Sequence, residues 1–218
     1  MNNTLKNNDK ARKAGRPSNP VQRSELLAIA RAMFAEIGYS ATSMGEIAER
    51  AGLRKASLFH HFSTKRQLYM EVLGDVLRDL DRLISEVSFE GGDFAKRLDH
   101  LGELVIEYLG SRQDTSRLLL REALDRGPFM GGGGFRTVQQ TLEVIAAFLK
   151  SGMHEGVVAE QDARQLALSI VGLHILYFAV GDVSARFVGK DIFSPEILEA
   201  RKREIRSQVR SLCGLPRE

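Results

Sequence analysis

Arg54, Lys55, Ser57, Phe59 and His60 crowd into seven consecutive residues of the run Thr42–Lys65, TSMGEIAERAGLRKASLFHHFSTK. The chemistry open to such a set is recognition of a polyanion rather than bond making. Arg and Lys pair with phosphate, an Arg fork can also read guanine, and Ser, His and Phe add short polar and van der Waals contacts to sugar and base edges. Thr42 and Ser43 precede the set and Lys65 follows it, each able to meet a phosphate.

Two short helices must position these side chains. The first reads Ser43 to Ala51 and the second Lys55 to His61, with Gly52 in the turn between them. A helix-turn-helix needs a small residue where its helices cross and a turn residue tolerant of positive φ, which Ala48 and Gly52 supply. Ile47, Leu53 and Leu58 are then free to face a shared core. Residues 21–37 carry Leu26, Ile29, Ala30, Met33, Phe34 and Ile37 at helical spacing, with Gly38 as C-cap, and so predict a bracing first helix. The expected head core is Leu27, Ile29, Phe34, Ile47, Leu58 and Phe62, with Thr42 as N-cap of the second helix.

The charge distribution agrees. Residues 1–67 hold twelve Lys/Arg against five Asp/Glu, and the remainder nineteen against twenty-three, so the net charge of +3 divides into +7 and −4. A positive field confined to one end is the footprint of a nucleic-acid-binding module on a non-binding body. Residues 1–20 are polar, without apolar periodicity, and read as a disordered arm. Within it Gly15-Arg16-Pro17 has the makings of a minor-groove hook, with Arg16 suited to a narrow A·T groove. One cysteine, Cys213, leaves no internal disulfide framework and fits a reducing compartment. No apolar run approaches the roughly 18 residues of a membrane span, and the basic N-terminus lacks the apolar core of a secretory signal, so a cytoplasmic address is expected.

From about Lys65 to Val87 the apolar positions Leu68, Val72, Leu73, Val76, Leu77, Leu80, Leu83, Ile84 and Val87 predict one long helix joining head to body, a lever between the two. Lys65 in its first turn opposes the macrodipole unless an anion sits there, and a DNA phosphate would be such an anion.

The segments Gly38-Tyr39-Ser40-Ala41-Thr42-Ser43, Ile47-Ala48-Glu49-Arg50-Ala51-Gly52 and Leu58-Phe59-His60-His61-Phe62, followed by Lys65, resemble the TetR family of bacterial transcriptional regulators, most closely over residues 21–75. The resemblance implies an all-α protein: a helix-turn-helix head over 21–67 and a helical ligand-binding and dimerising body over 68–218, about nine helices in all. It implies phosphate contacts at Thr42, Phe59, His60 and Lys65, and base-edge or phosphate contacts at Arg54, Lys55 and Ser57. Arg54 stands where a small capping Ser is common, Lys55 where Gly is common and Phe59 where Tyr is usual. The first two add charge; the third removes a hydroxyl.

The body predicts helices over Asp93–Gly110, Thr115–Arg126, Phe135–His154, Asp162–Phe187 and Pro195–Leu212, with Met130-Gly131-Gly132-Gly133-Gly134-Phe135 as a mobile loop that could gate a pocket. The stretch 162–187 is apolar nearly all round and must be covered on several sides. Together with 195–213 it is expected to form a four-helix interface in a homodimer, because one head reads too few base pairs for a useful operator. Tyr108, Arg121, Phe148, His174, Tyr177 and Phe178 are candidate lining residues for a small, largely hydrophobic effector.

No catalytic constellation accompanies these features: there is no Gly-x-Ser-x-Gly, His-Glu-x-x-His, P-loop or redox Cys pair. His100, Glu103 and Glu107 share a helix face at metal-like spacing, although a solvated polar face explains them as well, and no metal or cofactor is expected. The function expected is regulation of transcription, with double-stranded operator DNA and an effector as partners. The competing readings are an architectural DNA binder, which would cover DNA uniformly, and a helical enzyme that kept a DNA-binding head, which would turn its ligand over.

Overall fold

A computed structural model describes residues 22–216; the arm carrying Arg16 lies outside them. Ten α-helices follow in order: α1 (Arg23–Ala41), α2 (Met44–Arg50), α3 (Lys55–His61), α4 (Lys65–Phe89), α5 (Phe94–Ser111), α6 (Thr115–Asp125), α7 (Gly134–His154), α8 (Ala163–Ala179), α9 (Gly181–Val188) and α10 (Pro195–Leu212). A 3₁₀ turn at Met130–Gly132 stands between α6 and α7, and no strand occurs among the described residues.

Side-chain caps set four of the helix starts, those of α2, α4, α5 and α8. Ser43 and Glu46 form a reciprocal capping box: the Glu46 N–H donates to Ser43 Oγ at 3.2 Å, and the Ser43 N–H donates to the Glu46 carboxylate at 3.0 Å. Thr64 caps α4, Asp93 caps α5, Asp162 caps α8, and Pro195 opens α10. The N-cap of α2 is therefore Ser43 and not Thr42. Thr42 closes α1 instead, its hydroxyl donating to the Gly38 carbonyl at 2.7 Å. Gly38, at φ 83° and ψ 166°, breaks the helical run that begins at Arg23, as its place in the sequence suggests, and one short further turn carries α1 on to Ala41.

Two hydrophobic cores lie along α4. The upper one joins Leu26, Phe34, Ile47, Leu58 and Phe62 of the head to Leu68, Tyr69, Val72, Leu73 and Leu77 of α4, with Leu118 and Phe129 from the body. The lower one contains Ile84 and Val87 of α4 with apolar residues of α5, α7, α8 and α10. Each fully buried Leu or Ile is worth about 1.5–3 kcal/mol, so α4 is held firmly by head and body alike. That is what a lever needs in order to transmit a displacement.

The body departs from the expected elements in two places. The 162–187 stretch is two helices, α8 and α9, which meet at 79°. The break is at Val180 (φ −100°, ψ 36°), where Gly181 lets the chain turn against Ile192 and Phe193 and Ser184 Oγ donates back to the Tyr177 carbonyl at 2.9 Å. Among the described residues no single helix is long and apolar enough to cross a membrane. The glycine segment is anchored at one end: Gly134 is buried against the Phe129 ring and Gly132 lies under the Arg66 guanidinium, while Gly131, Gly132 and Gly133 are exposed.

Charge stitches α10 to α5. Asp99, Glu103 and Glu107, four apart on α5, meet Arg210, Arg206 and Lys202, four apart on the antiparallel α10. Arg210, only 5% exposed, grips Asp99 in a fork at 2.6–3.1 Å. Glu103 and Glu107 are thus engaged by cations, and His100 faces Glu90 at 3.2 Å. Glu103 and Glu107 belong to an ion-pair ladder and His100 to a separate contact with Glu90, and no group of ligands suited to a metal ion occurs among the described residues.

Candidate nucleic-acid interface and body cavities

The turn of the helix-turn-helix is built as its sequence demands. Gly52 adopts φ 65°, its N–H donates to the Glu49 carbonyl, and the Leu53 N–H donates to that of Ala48. The turn aims α3 outward. Only Leu58 of α3 is buried; Arg54, Lys55, Phe59, His60 and His61 are exposed and Ser57 half-buried. Lys55 Nζ lies 6.0 Å from the centre of the Phe59 ring, so the cation and the ring form one surface. Arg54 is the N-cap residue of α3 but makes no capping bond, which leaves its guanidinium directed to solvent.

Thr42 and Lys65 behave differently from the sequence-based expectation. Thr42 is 1% exposed, and its hydroxyl is committed to the Gly38 carbonyl, so its side chain offers DNA nothing here. The exposed hydroxyl at this corner is that of Ser43. Lys65 Nζ donates to the carbonyls of Tyr39, Thr42 and Ser40 at 2.8, 2.8 and 3.2 Å, and lies 4.5 Å over the Tyr39 ring. An ammonium has three N–H donors, so reaching a phosphate would require Lys65 to give up at least one carbonyl. The first-turn lysine of α4 is accommodated by oxygens from the end of α1, which replace the anion its position called for.

Two apolar cavities adjoin α4 in the body. The inner one, of about 100 Å³, lies among α4, α5, α7, α8 and α10, where Ile84, Leu98, Leu101, Val105 and Ile170 surround Gly102 and His174. The outer one, of about 340 Å³, is lined by Leu73, Leu77, Leu119, Phe129, Met130 and Val138, and reaches the surface of α8 at Leu168 and Gly172. Leu80, Thr141, Ile145, Val171 and Ile175 line both, so a single shared wall divides them.

Of the six lining residues expected from sequence, only His174 reaches these cavities. Tyr108 serves an ion-pair cluster, accepting from Arg112 at 3.2 Å while Arg112 pairs with Asp79. Burial is the main cause that pushes the Tyr108 hydroxyl up to about 12. Phe148 stacks on Phe94 inside the lower core at 4.8 Å. Arg121 turns toward the head, its Nη1 3.5 Å from the Glu36 carbonyl. Tyr177 is covered by the Arg201 guanidinium at 4.2 Å, and Phe178 faces a separate polar cleft beside α1. Mixed polarity marks these side chains out in the sequence, but the actual lining is aliphatic and there indistinguishable from ordinary core.

Sequence reasoning missed Glu122. It is 3% exposed at the wall of the outer cavity. One carboxylate oxygen accepts the Met130 N–H at 2.7 Å, and the other accepts the Tyr69 hydroxyl at 2.6 Å. Burial first, and this bond second, hold the Tyr69 phenol well above its ordinary range. Tyr69 belongs to α4, and its ring packs edge-on against Phe34 at 4.8 Å and on Tyr39 at 4.9 Å. Tyr39 is the residue whose carbonyl and ring hold Lys65. Contacts therefore run unbroken from the cavity wall through α4 to the corner that orients α2. A Glu in a short helix that reads as surface gives no sign of this; only the structure shows that Gly127 is where a Cβ would collide with the carboxylate.

Residues 26–72 match the family described as bacterial regulatory proteins, tetR family, and residues 95–209 match the tetracyclin repressor-like C-terminal domain. The chain belongs to the TetR family. It is 48% identical to the HTH-type transcriptional repressor KstR2 of Mycolicibacterium smegmatis, over 77% of this chain and 94% of that protein. Solved structures with the same fold include FadR from Bacillus subtilis in complex with stearoyl-CoA, with TM-score 0.67, 14% identity and coverage of 85% and 98% of the two chains. They also include AibR in complex with isovaleryl coenzyme A and operator DNA, with TM-score 0.66, 15% identity and coverage of 85% and 96%. This TetR-family chain is a DNA-binding transcriptional regulator and not an enzyme. Regulators of the family bind operator DNA and ligands and are dimeric.

Proposed function

We propose that this regulator is a repressor that leaves a palindromic operator when an apolar effector fills the cavities beside α4. The supporting observation is the Met130–Glu122–Tyr69 linkage, which joins the outer cavity wall directly to the lever helix and through it to the head. An occupant that displaces Phe129 and Met130 disturbs Glu122, and Glu122 holds Tyr69. The effector acts only to the extent that it binds the released state better than the DNA-bound one. Two neighbours of this fold carry acyl-coenzyme A thioesters, and an acyl or similarly apolar body suits a groove lined by Leu, Ile, Val and Phe.

The DNA face of this reading is Ser43, Arg54, Lys55, Ser57, Phe59 and His60, with Arg16 of the arm as a minor-groove contact. Lys65 is assigned to holding the α1–α2 corner. The head over residues 21–67 and the effector and dimerisation domain over 68–218 are the working units. The dimer forms through α8 and α9, where Leu168, Leu176, Val183 and Phe187 are 52%, 56%, 65% and 92% exposed and Gly172 is open to close approach. The apolar residues of α10 favour a lesser role, since Ile205 and Val209 face α5 and only Leu212 is exposed. Two heads would then sit about 34–36 Å apart, in successive major grooves.

Footprinting tests the DNA half: a short palindromic site supports it, and uniform coverage favours an architectural role. Titration of acyl-coenzyme A thioesters of graded chain length into the protein–operator complex tests the other half. Release that strengthens with chain length supports the apolar-effector reading; tight thioester binding without release would sink it.

A further inference from the structure

Two buried polar atoms interrupt the otherwise apolar cavities without a well-formed hydrogen bond inside the protein, although the Gly102 backbone lies beside one of them. They are His174 Nε2 and Thr141 Oγ1. His174 lines the inner cavity, and Thr141 stands on the wall common to both. The two residues are 6% and 5% exposed, so bulk solvent does not reach them. An unpaired polar group in such a place carries a penalty comparable to a lost hydrogen bond.

The ring of His174 is oriented by its other nitrogen. Nδ1 lies 2.8 Å from the Ile170 carbonyl. A carbonyl only accepts, so Nδ1 carries the ring hydrogen and Nε2 is a bare acceptor. Burial lowers the basicity of the ring, outweighing the opposite pull of the Ile170 and Gly102 backbone, and keeps it neutral. Gly102 leaves room beside Nε2, where a Cβ would stand 3.9 Å away. The usual resource of a helical threonine, a bond to the carbonyl of the preceding turn, is absent at Thr141, whose hydroxyl remains able to donate or accept.

We infer that His174 is a specificity-determining residue for the effector, and that the part of the effector reaching the inner cavity is an apolar body bearing a hydrogen-bond donor, such as a hydroxyl, which Nε2 accepts. Thr141 serves a second oxygen of the same molecule at the wall between the cavities. This deepens the effector reading above and rests on it. A site with polar groups placed for a hydroxyl rejects an analogue that lacks it far more strongly than an apolar pocket distinguishes methylenes. His174 thus selects against plain hydrocarbon chains, which the aliphatic lining alone would admit.

Phenol and toluene make a probe pair of nearly equal size that differs in one donor, and both suit a cavity of this scale. Calorimetric titration of each into the full-length protein is expected to show phenol binding at least as tightly as toluene. In the His174→Leu variant the order should reverse, with toluene favoured by roughly tenfold or more, because a buried hydroxyl is then unpaired. Gly102→Ala tests the same point without disturbing the ring. The added methyl meets only ordinary contacts in the free protein and improves the helix, so thermal stability should hold or rise while phenol affinity falls severalfold. An anomalous peak from bound 4-bromophenol would place its oxygen at Nε2. Wild-type protein that prefers toluene as strongly as His174→Leu does would overturn the assignment. If neither probe binds, the cavity reading beneath it falls as well. Phenol selectivity without any effect of hydroxylated acyl thioesters on operator affinity would support His174 and overturn only the coupling to DNA.

Discussion

Replacing Lys65 with methionine separates two jobs that the residue could do. Methionine keeps the aliphatic stem and removes the ammonium that ties the carbonyls of Tyr39, Ser40 and Thr42 together and covers the Tyr39 ring. Hydrogen bonds to a charged donor are worth about 1.5–3 kcal/mol each, but this one is half-buried, and water can re-solvate the freed carbonyls. A total loss near 2 kcal/mol is therefore expected, of which the cation–π contact supplies about 0.5–1. For a chain of this size, that lowers Tm by about 4–8 °C. Operator binding should weaken as the corner before α2 loosens, but by a similar factor at every salt concentration. A lysine that neutralises one phosphate behaves otherwise: its loss reduces the slope of log K against log salt by about 0.9 per head and leaves Tm nearly unchanged. Fluorescence anisotropy of labelled operator from low to moderate salt, alongside thermal melts, reads both quantities. The clamp argument is refuted by an unshifted Tm combined with a flattened slope. Lys55→Met is the internal control, since its exposed ammonium should give the flattened slope and an unchanged Tm.

Arg54→Ala should cost about 1–3 kcal/mol on the cognate operator at a contacted base pair; equal losses on random DNA would show that it reads phosphate alone. Tyr69→Phe removes the 2.6 Å bond to buried Glu122, so a stability loss of about 1–3 kcal/mol should appear in denaturant melts, together with weaker coupling between effector and operator in competition titrations. Gly38→Ala places a Cβ at φ 83° and 2.9 Å from Arg121 Nη1. With ψ 166° the position lies in a region that essentially only glycine adopts, so backbone strain of about 1–3 kcal/mol should lower Tm, while Arg121, free to swing away, should add little. Leu176→Glu and Phe187→Glu put charge on the exposed face of α8 and α9; sedimentation should show monomers, with operator affinity falling because two heads no longer bind as one unit.

The sequence by itself determined the head. Its chemistry is local: a small residue at the crossing, a glycine at φ 65° and outward cations were legible as written, while the cap of α2 fell one residue later than read, on Ser43 and not Thr42, because the Thr42 hydroxyl turns back to Gly38. The lever was legible too, because a 3.6-residue apolar period needs no partner to be recognised. What only the tertiary structure decided are meetings between elements far apart in the chain. Lys65 turns back to carbonyls twenty-three to twenty-six residues earlier, and Tyr69 meets Glu122 fifty-three residues later. Glu103 and Glu107 find cations on α10 about a hundred residues away. The cavity was least legible of all. Its walls are the same aliphatic residues that fill a core, and whether such residues close on one another or leave space depends on how five helices are set relative to each other. That setting is a property of the packed whole, and no stretch of the chain carries it alone.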